Sequence, residues 1–109
     1  MKLYIGGAYQ GQEALAWQEN PGADIWPDFH RTIRAAVLEQ KKDAREFARS
    51  FILEHPDAVV VADEVGSGVV PMAAEDRAWR EAVGRALCVI AAEAGQVTRC
   101  VCGIGVRIK

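Results

Sequence analysis

MKLYIGGAYQGQEALA, residues 1–16, is the stretch whose reading decides the fold. Leu3-Tyr4-Ile5 is a short β-prone run that ends at Gly6-Gly7, and a helix should follow from about Gly11 to Gln18. A strand feeding through a glycine-rich turn into a helix has the layout of a phosphate-binding loop, G-x-x-x-x-G-K-[ST]. Gly6 and Gly11 stand at the two glycine positions. The lysine position holds Gln12 and the hydroxyl position holds Glu13. In a working loop the backbone N–H groups and the helix N-terminus cradle the anion, lysine offsets the outer phosphates and the hydroxyl holds Mg²⁺. Gln12 can donate a hydrogen bond but carries no charge, and Glu13 places a negative charge where a phosphate would sit. The same glycines would also serve a turn that only joins strand to helix.

Beyond this stretch the pattern alternates. Asn20-Pro21-Gly22 is turn chemistry that ends the first helix. Pro27 suits the first turn of a second helix, on which Phe29, Ile33, Ala36 and Val37 share a face while Arg31, Arg34 and Glu39 point elsewhere. Asp43 with Glu46 three residues on has the layout of a capping box, opening a third helix with the stripe Phe47, Ala48, Phe51 and Ile52. Pro56 disfavours helical geometry at His55 and closes it. Ala58 to Ala62 is continuously apolar, as in a parallel strand buried on both faces, and the loop from Asp63 to Gly68 lies where α/β sheets place ligands. A long helix spans about 74–94, with Trp79, Val83, Ala86 and Ile90 toward the core and Arg77, Glu81 and Arg85 as a solvated charge ladder. Gly95 stops it, Val97 to Cys102 is a last strand, and residues 103–109 form an extended tail. The expected fold is therefore α/β, a small, mainly parallel sheet covered by helices. With three strands in view, the sheet is thin and oligomerisation is expected.

Composition narrows the classes. The chain has 109 residues, half of them hydrophobic, which suits a single domain with one core. Net charge of −2 and a sequence pI of about 5.7 give no broad attraction to nucleic acid. No apolar run approaches the roughly 20 residues a membrane helix needs, and no secretory leader pattern follows Met1, so a soluble cytoplasmic protein is expected. The three cysteines include no CxxC spacing. Cys100 and Cys102 would share a strand face as small buried residues in a reducing compartment, with no metal expected.

Two further constellations carry chemistry. VVVADEVG, a buried strand ending in Asp63-Glu64, has the form of a Walker B element, in which an acid holds Mg²⁺ or its water. His30 beside Arg31 could form a phosphoramidate in nucleotidyl transfer, or serve as a half-buried structural histidine flanking the Phe29/Ile33 stripe.

The C-terminal half resembles the bifunctional adenosylcobinamide kinase/adenosylcobinamide-phosphate guanylyltransferase family of cobalamin biosynthesis, the CobU/CobP type. Its members carry NEVG-x-G-[IV]-VP after a strand, then an R-x-x-R-[DE]-x-x-GR helix and a hydrophobic strand with a basic tail. Glu64, Val65, Gly66, Gly68, Val70 and Pro71 match the first motif. Arg77, Arg80, Glu81, Gly84 and Arg85 match the second, and CVCGIGVRIK resembles the ending. Gly6, Gly7, Ala8 and Gly11 match the family's GGARSGKS loop. The resemblance covers about half of the chain and implies a P-loop-type fold, a trimer, and a nucleotide (GTP or ATP, with Mg²⁺) and a corrinoid, cobinamide, as partners. No permanently bound cofactor is expected. It further implies nucleotide contacts at Gly6, Gly7, Ala8, Gly11, Gln12, Glu64, Gly66, Arg77, Arg80 and Arg85. Departures are specific: Asp63 stands where the family has Asn, Leu87-Cys88 replace a polar pair, and much of the family's middle segment, including the guanylylated histidine, has no counterpart here. Two functions follow, a nucleotide-binding transferase of this type or a non-catalytic binding or regulatory protein on the same scaffold.

Overall fold

The computed structural model describes residues 1–65 and 74–109, with the side chains of 74–76 excepted. The expectations resting on Gly66, Gly68, Val70 and Pro71 therefore lie outside the described residues. The elements are β1 (Lys2–Gly6), α1 (Gln12–Glu19), β2 (Ile25–Trp26), α2 (Phe29–Arg34) with a π-helical continuation over Ala35–Glu39, α3 (Ala44–Glu54), β3 (Val59–Asp63), α4 (Ala74–Glu93), β4 (Gln96–Val101) and β5 (Ile104–Arg107). They form a five-stranded sheet in the order β2-β3-β1-β4-β5. All neighbours run parallel except β4 and β5.

β1 is central because its residues are apolar on both faces. Tyr4 lies in register with Val61 on one side and Thr98 on the other. Leu3, Val60, Ala62 and Val97 point into the larger core, which they share with Phe29, Ile33, Phe51, Val83 and Ile90 from the helices. Tyr4, Val59, Val61 and Cys100 point the opposite way and pack on Ala16 and Leu15 of α1. That second core is small, and a polar network reinforces it. The Tyr4 hydroxyl donates to Glu19 Oε1 at 2.7 Å and accepts from Asn20 Nδ2 at 3.0 Å, while Lys2 Nζ donates to Asn20 Oδ1 at 2.8 Å. These bonds fix the end of α1 to the start of β1.

Several boundaries differ from the sequence reading. Among the described residues there are five strands, not three. β2 is only two residues long, and the supposed tail over 103–109 folds back on β4 as β5. Cys102 and Gly103 make the two-residue turn between them with φ of 51° and 78°, the left-handed pair that a tight hairpin requires. Cys102 is thus an exposed turn residue, not a buried strand partner of Cys100, and Cys88 is exposed as well. Pro27 precedes α2 instead of opening it, because Asp28 at φ 52° takes the N-cap position. Trp79 is only partly buried, with its Nε1 donating to His30 O at 3.3 Å and Arg34 over its ring at 4.7 Å. As expected, Asp43 caps α3 by accepting from Glu46 N–H at 3.1 Å. Among the described residues, no helix is long and apolar enough to cross a membrane.

Phe29 is fully buried at the junction of α2, α3 and the sheet, where it meets Phe51 at 4.6 Å between ring centroids. Phe29→Ala should cost about 3–5 kcal/mol in urea unfolding, whereas Leu53→Ala, at an exposed position, should cost under about 0.5 kcal/mol.

Burial and the hydrogen bond to Glu19 push the Tyr4 pKa above its ordinary value. The unfolded phenol ionises from about pH 10 while the folded one keeps its proton. The stabilisation is therefore complete below that pH and is lost as pH rises through the folded value. Tyr4→Phe should lower stability by about 1 kcal/mol at neutral pH and flatten the decline above pH ~10. Denaturant titrations of both proteins at pH 8 and pH 11 would check it.

Candidate functional site

β4 runs close to the end of β1 at Gly6. A Cβ at Gly6 would stand 2.7 Å from the Cys100 carbonyl oxygen. The chain then turns through Gly7, Ala8, Tyr9 and Gln10 to Gly11, which caps α1 at φ 87°. A side chain at Gly11 would be strained and would lie 3.2 Å from Gly103 Cα. The contact with Gly103 is part of a clasp between the turn and the β4–β5 hairpin. Gln10 accepts twice, at its carbonyl from Gly103 N–H and at Oε1 from Cys102 N–H, both at 2.8 Å.

Gln12, at the position where a phosphate loop has its lysine, is turned inward and is 5% exposed. Its Nε2 donates to Asp63 Oδ1 at 2.8 Å, and also approaches the carbonyl oxygens of Gly7 at 3.1 Å and Gly6 at 3.3 Å. Among the described residues its Oε1 is buried without a hydrogen-bond partner. A hydrogen bond to a carboxylate contributes about 1.5–3 kcal/mol, so this amide is a structural tie between the turn and the end of β3. Glu64 N–H adds a second tie by donating to Gly6 O at 2.7 Å.

Asp63 is held from the other side by His30. The backbone N–H of Asp63 donates to His30 Nδ1 at 3.1 Å, which leaves the ring proton on Nε2, 3.7 Å from Asp63 Oδ2. His30 is 4% exposed, more deeply buried than the half-buried position expected from its helix angle. Its contacts are those of a residue that positions Asp63.

Between the turn, α2 and the end of β3 lies a cleft of about 400 Å³. Ala8, Tyr9, Gly11 and Gln12 line it together with Glu13, Asp28, Arg31 and Asp63. Among the described residues its charged lining is three carboxylates and one guanidinium. Tyr9 is fully exposed at φ 60° and Asp28 sits at φ 52°, so two non-glycine residues of the lining hold left-handed backbones. Tyr9 and Asp28 are not among the expected site residues. Arg31, noted beside His30 and pointing away from the apolar stripe, reaches the cleft through that same solvent-facing direction.

The remaining expected site residues are placed elsewhere. Glu64 pairs with Arg99 at 3.4 Å, beside a second groove floored by Leu3, Ile5, Val83 and Leu87 on the α4 face of the sheet. Arg85 pairs with Glu81 one helical turn away and lines a shallow depression with Arg45. Arg77 and Arg80 stand on the first half of α4, outside the described lining of the cleft. The structure brings Ala8, Gly11 and Gln12 into the cleft lining with Asp63, keeps Gly6 and Gly7 outside the described lining as acceptors for the Gln12 amide, and does not bring Glu64 or Arg85 into that lining. Among the described residues, no group of three or more His, Cys, Asp or Glu side chains is placed to hold a metal ion.

The profile of one protein family, described as cobinamide kinase / cobinamide phosphate guanyltransferase (CobU), matches residues 25–108. The chain belongs to this family. No curated protein matches the chain. The CobU match takes in α2, the β3 strand with Asp63, α4 and the β4–β5 hairpin, and it starts after the glycine turn. The family is thus carried by the part of the chain that packs around the turn.

Because Gln12 ties three groups together, Gln12→Ala should destabilise the fold by about 2–3 kcal/mol, while Glu13→Gln, at an exposed position, should change it by under about 0.5 kcal/mol. Chemical denaturation of the two variants would separate a structural amide from a spare one.

Proposed function

We propose that this CobU-family protein works in cobalamin biosynthesis by binding a nucleoside triphosphate, GTP or ATP as its Mg²⁺ complex, in the cleft beside the Gly6–Gly11 turn, without transferring a phosphoryl group itself. The family supports the pathway and the class of ligand. The P-loop-like arrangement, with a strand running through a glycine turn into α1 and an acid at the end of the adjacent parallel strand, supports the place. One observation carries the loss of transfer: the Gln12 amide is committed to Asp63 and to the loop carbonyls. The residue that should reach the outer phosphates is locked below them, and it has no charge to give.

Electrostatics point the same way. Glu13, Asp28 and Asp63 oppose a free polyanion, and Arg31 is the cation in the described lining. A triphosphate that arrives with Mg²⁺ brings part of its own neutralisation, which offsets the carboxylates. Transfer needs more than this. It needs a cation on the migrating phosphoryl group and a metal held in place, and Asp63 Oδ1 already accepts from Gln12. A non-catalytic binding or regulatory role therefore fits the site better than kinase chemistry.

Calorimetric titration with GTP, ATP and cobinamide, each with and without Mg²⁺, tests this reading. Binding of a triphosphate that requires Mg²⁺, with no turnover over hours, is expected. Arg31→Ala should weaken it by about 1–2 kcal/mol. The double change Gln12→Lys, Glu13→Ser should strengthen it by about 2 kcal/mol, less at high salt because charge is the cause. Phosphorylation of cobinamide by the parent protein would overturn the non-catalytic reading.

A further inference from the structure

Gln10 stands beside the cleft without being part of its described lining, which takes in Ala8, Tyr9, Gly11 and Gln12 of the same turn. It faces the β4–β5 hairpin instead, and both its side chain and its main chain are engaged there. Oε1 accepts from Cys102 N–H and the Gln10 carbonyl accepts from Gly103 N–H, each at 2.8 Å, while Nε2 reaches the Ala8 carbonyl at 3.4 Å. Two peptide groups of the turn thus have their carbonyl ends held, Ala8–Tyr9 by the Gln10 amide and Gln10–Gly11 by the hairpin. A trans peptide is planar with its N–H opposed to its C=O, so each held carbonyl also sets the direction of the N–H that follows it. Those N–H groups belong to Tyr9 and Gly11, both in the cleft lining, and among the described residues neither donates to a protein acceptor. Tyr9 and Gly11 are also left-handed, at φ 60° and 87°, with Gln10 between them. Such alternation turns successive N–H groups toward one side, the arrangement that forms an anion-binding nest.

We infer that Gln10 is a positioning residue for the cleft. By fastening the turn to the hairpin tip, it aims the Tyr9 and Gly11 N–H groups at an anionic ligand that it does not itself touch. The role rests on a triphosphate occupying the cleft, as proposed above, and it says which groups would hold that ligand where the turn has no lysine. Backbone N–H dipoles attract phosphate without a side-chain cation. They matter most in a site whose Gln12 amide is committed to Asp63 and whose described lining carries one guanidinium. The hairpin tip suits the anchoring role because Cys102 and Gly103, left-handed at φ 51° and 78°, present successive N–H groups to one residue. The two glutamines therefore divide the turn between them. Gln12 ties it to the end of β3, and Gln10 ties it to the far side of the sheet.

Two variants of the full chain separate this role from packing. Gln10→Met keeps the side-chain length and removes both amide bonds, whereas Gln10→Glu keeps an acceptor for Cys102 N–H. Without ligand, amide exchange followed by NMR should quicken about tenfold or more at Cys102 in Gln10→Met and stay near the parent rate in Gln10→Glu. The backbone order parameters of Tyr9 and Gly11 should fall in Gln10→Met. With GTP and Mg²⁺, calorimetry should show Gln10→Met binding about tenfold more weakly than the parent. Its circular dichroism and urea midpoint should stay close to the parent's, because both side-chain bonds are exposed. A glutamine that served only the fold would move the urea midpoint and leave the affinity alone. Unchanged exchange at Cys102 with unchanged order at Tyr9 and Gly11 in Gln10→Met would overturn the inference, as would parental affinity in that variant. If the parent binds no triphosphate, the function proposed above falls, and the ligand-free amides still decide whether Gln10 orients the turn.

Discussion

The cleft depends on one side chain. The Gln12 amide reaches back from the first residue of α1 to Asp63 at the end of β3, touching the carbonyls of Gly6 and Gly7 on the way. Glu64 N–H, donating to Gly6 O, joins the same two segments a second time. Through the Gln12 amide, the turn, α1 and β3 share a buried, charge-assisted contact in which the donor is neutral and the acceptor charged. A lysine in that place would bring its own charge to the Asp63 carboxylate. Glutamine is neutral, and here its amide is spent on internal cohesion.

Support for the turn comes from two directions that are far apart in sequence. Behind Asp63 stands His30 on α2, and beside Gln10 stands the tip of the β4–β5 hairpin. The glycines make both approaches feasible. At Gly6 the Cys100 carbonyl would meet a side chain, and at Gly11 the backbone is left-handed and faces Gly103. These are close approaches of backbone, and they give the turn a packing reason for its glycines whatever the residue at position 12.

Long periodic segments made most of the fold legible. The stripe Val83, Ala86, Ile90 and the run from Ala58 to Ala62 are buried as their patterns require, because a helix with one apolar face and a strand apolar on both faces have few other places to go. What escaped was short or glycine-rich. β2 has two residues, below any periodicity, and gains its place by pairing with Val59 and Val60. β5 alternates Ile104, Gly105 and Val106, which reads as a tail until the Cys102-Gly103 turn folds it against β4. Pro27 suggested a helix start, but the left-handed Asp28 intervenes. The glycine turn and Gln12 were legible from motif spacing, whereas Arg31 and Asp28 enter the cleft through a turn that has no sequence signature. His30 could be singled out as a chemical residue, yet its partner Asp63 is thirty-three positions away and only the sheet brings them together.

The two faces of the sheet are unequal, and that inequality shapes the molecule. On one side three helices bury a large apolar core around Phe29, Ile33 and Ile90, and stability there is hydrophobic. On the other, among the described residues, α1 packs on Tyr4, Val59, Val61 and Cys100 with help from Ala23 and Ile25, and the Tyr4–Glu19–Asn20–Lys2 network makes up for the small area. The side that carries the glycine turn is therefore held mainly by directional bonds, which fix geometry more sharply than apolar contact does but break together when one partner is lost. The β4–β5 hairpin spans both regimes. Its tip is hydrogen-bonded to Gln10 of the turn, and its far end returns Lys109 to the carbonyls that close α4. The hairpin is therefore anchored at both ends, by the turn on one face of the sheet and by the end of α4 on the other.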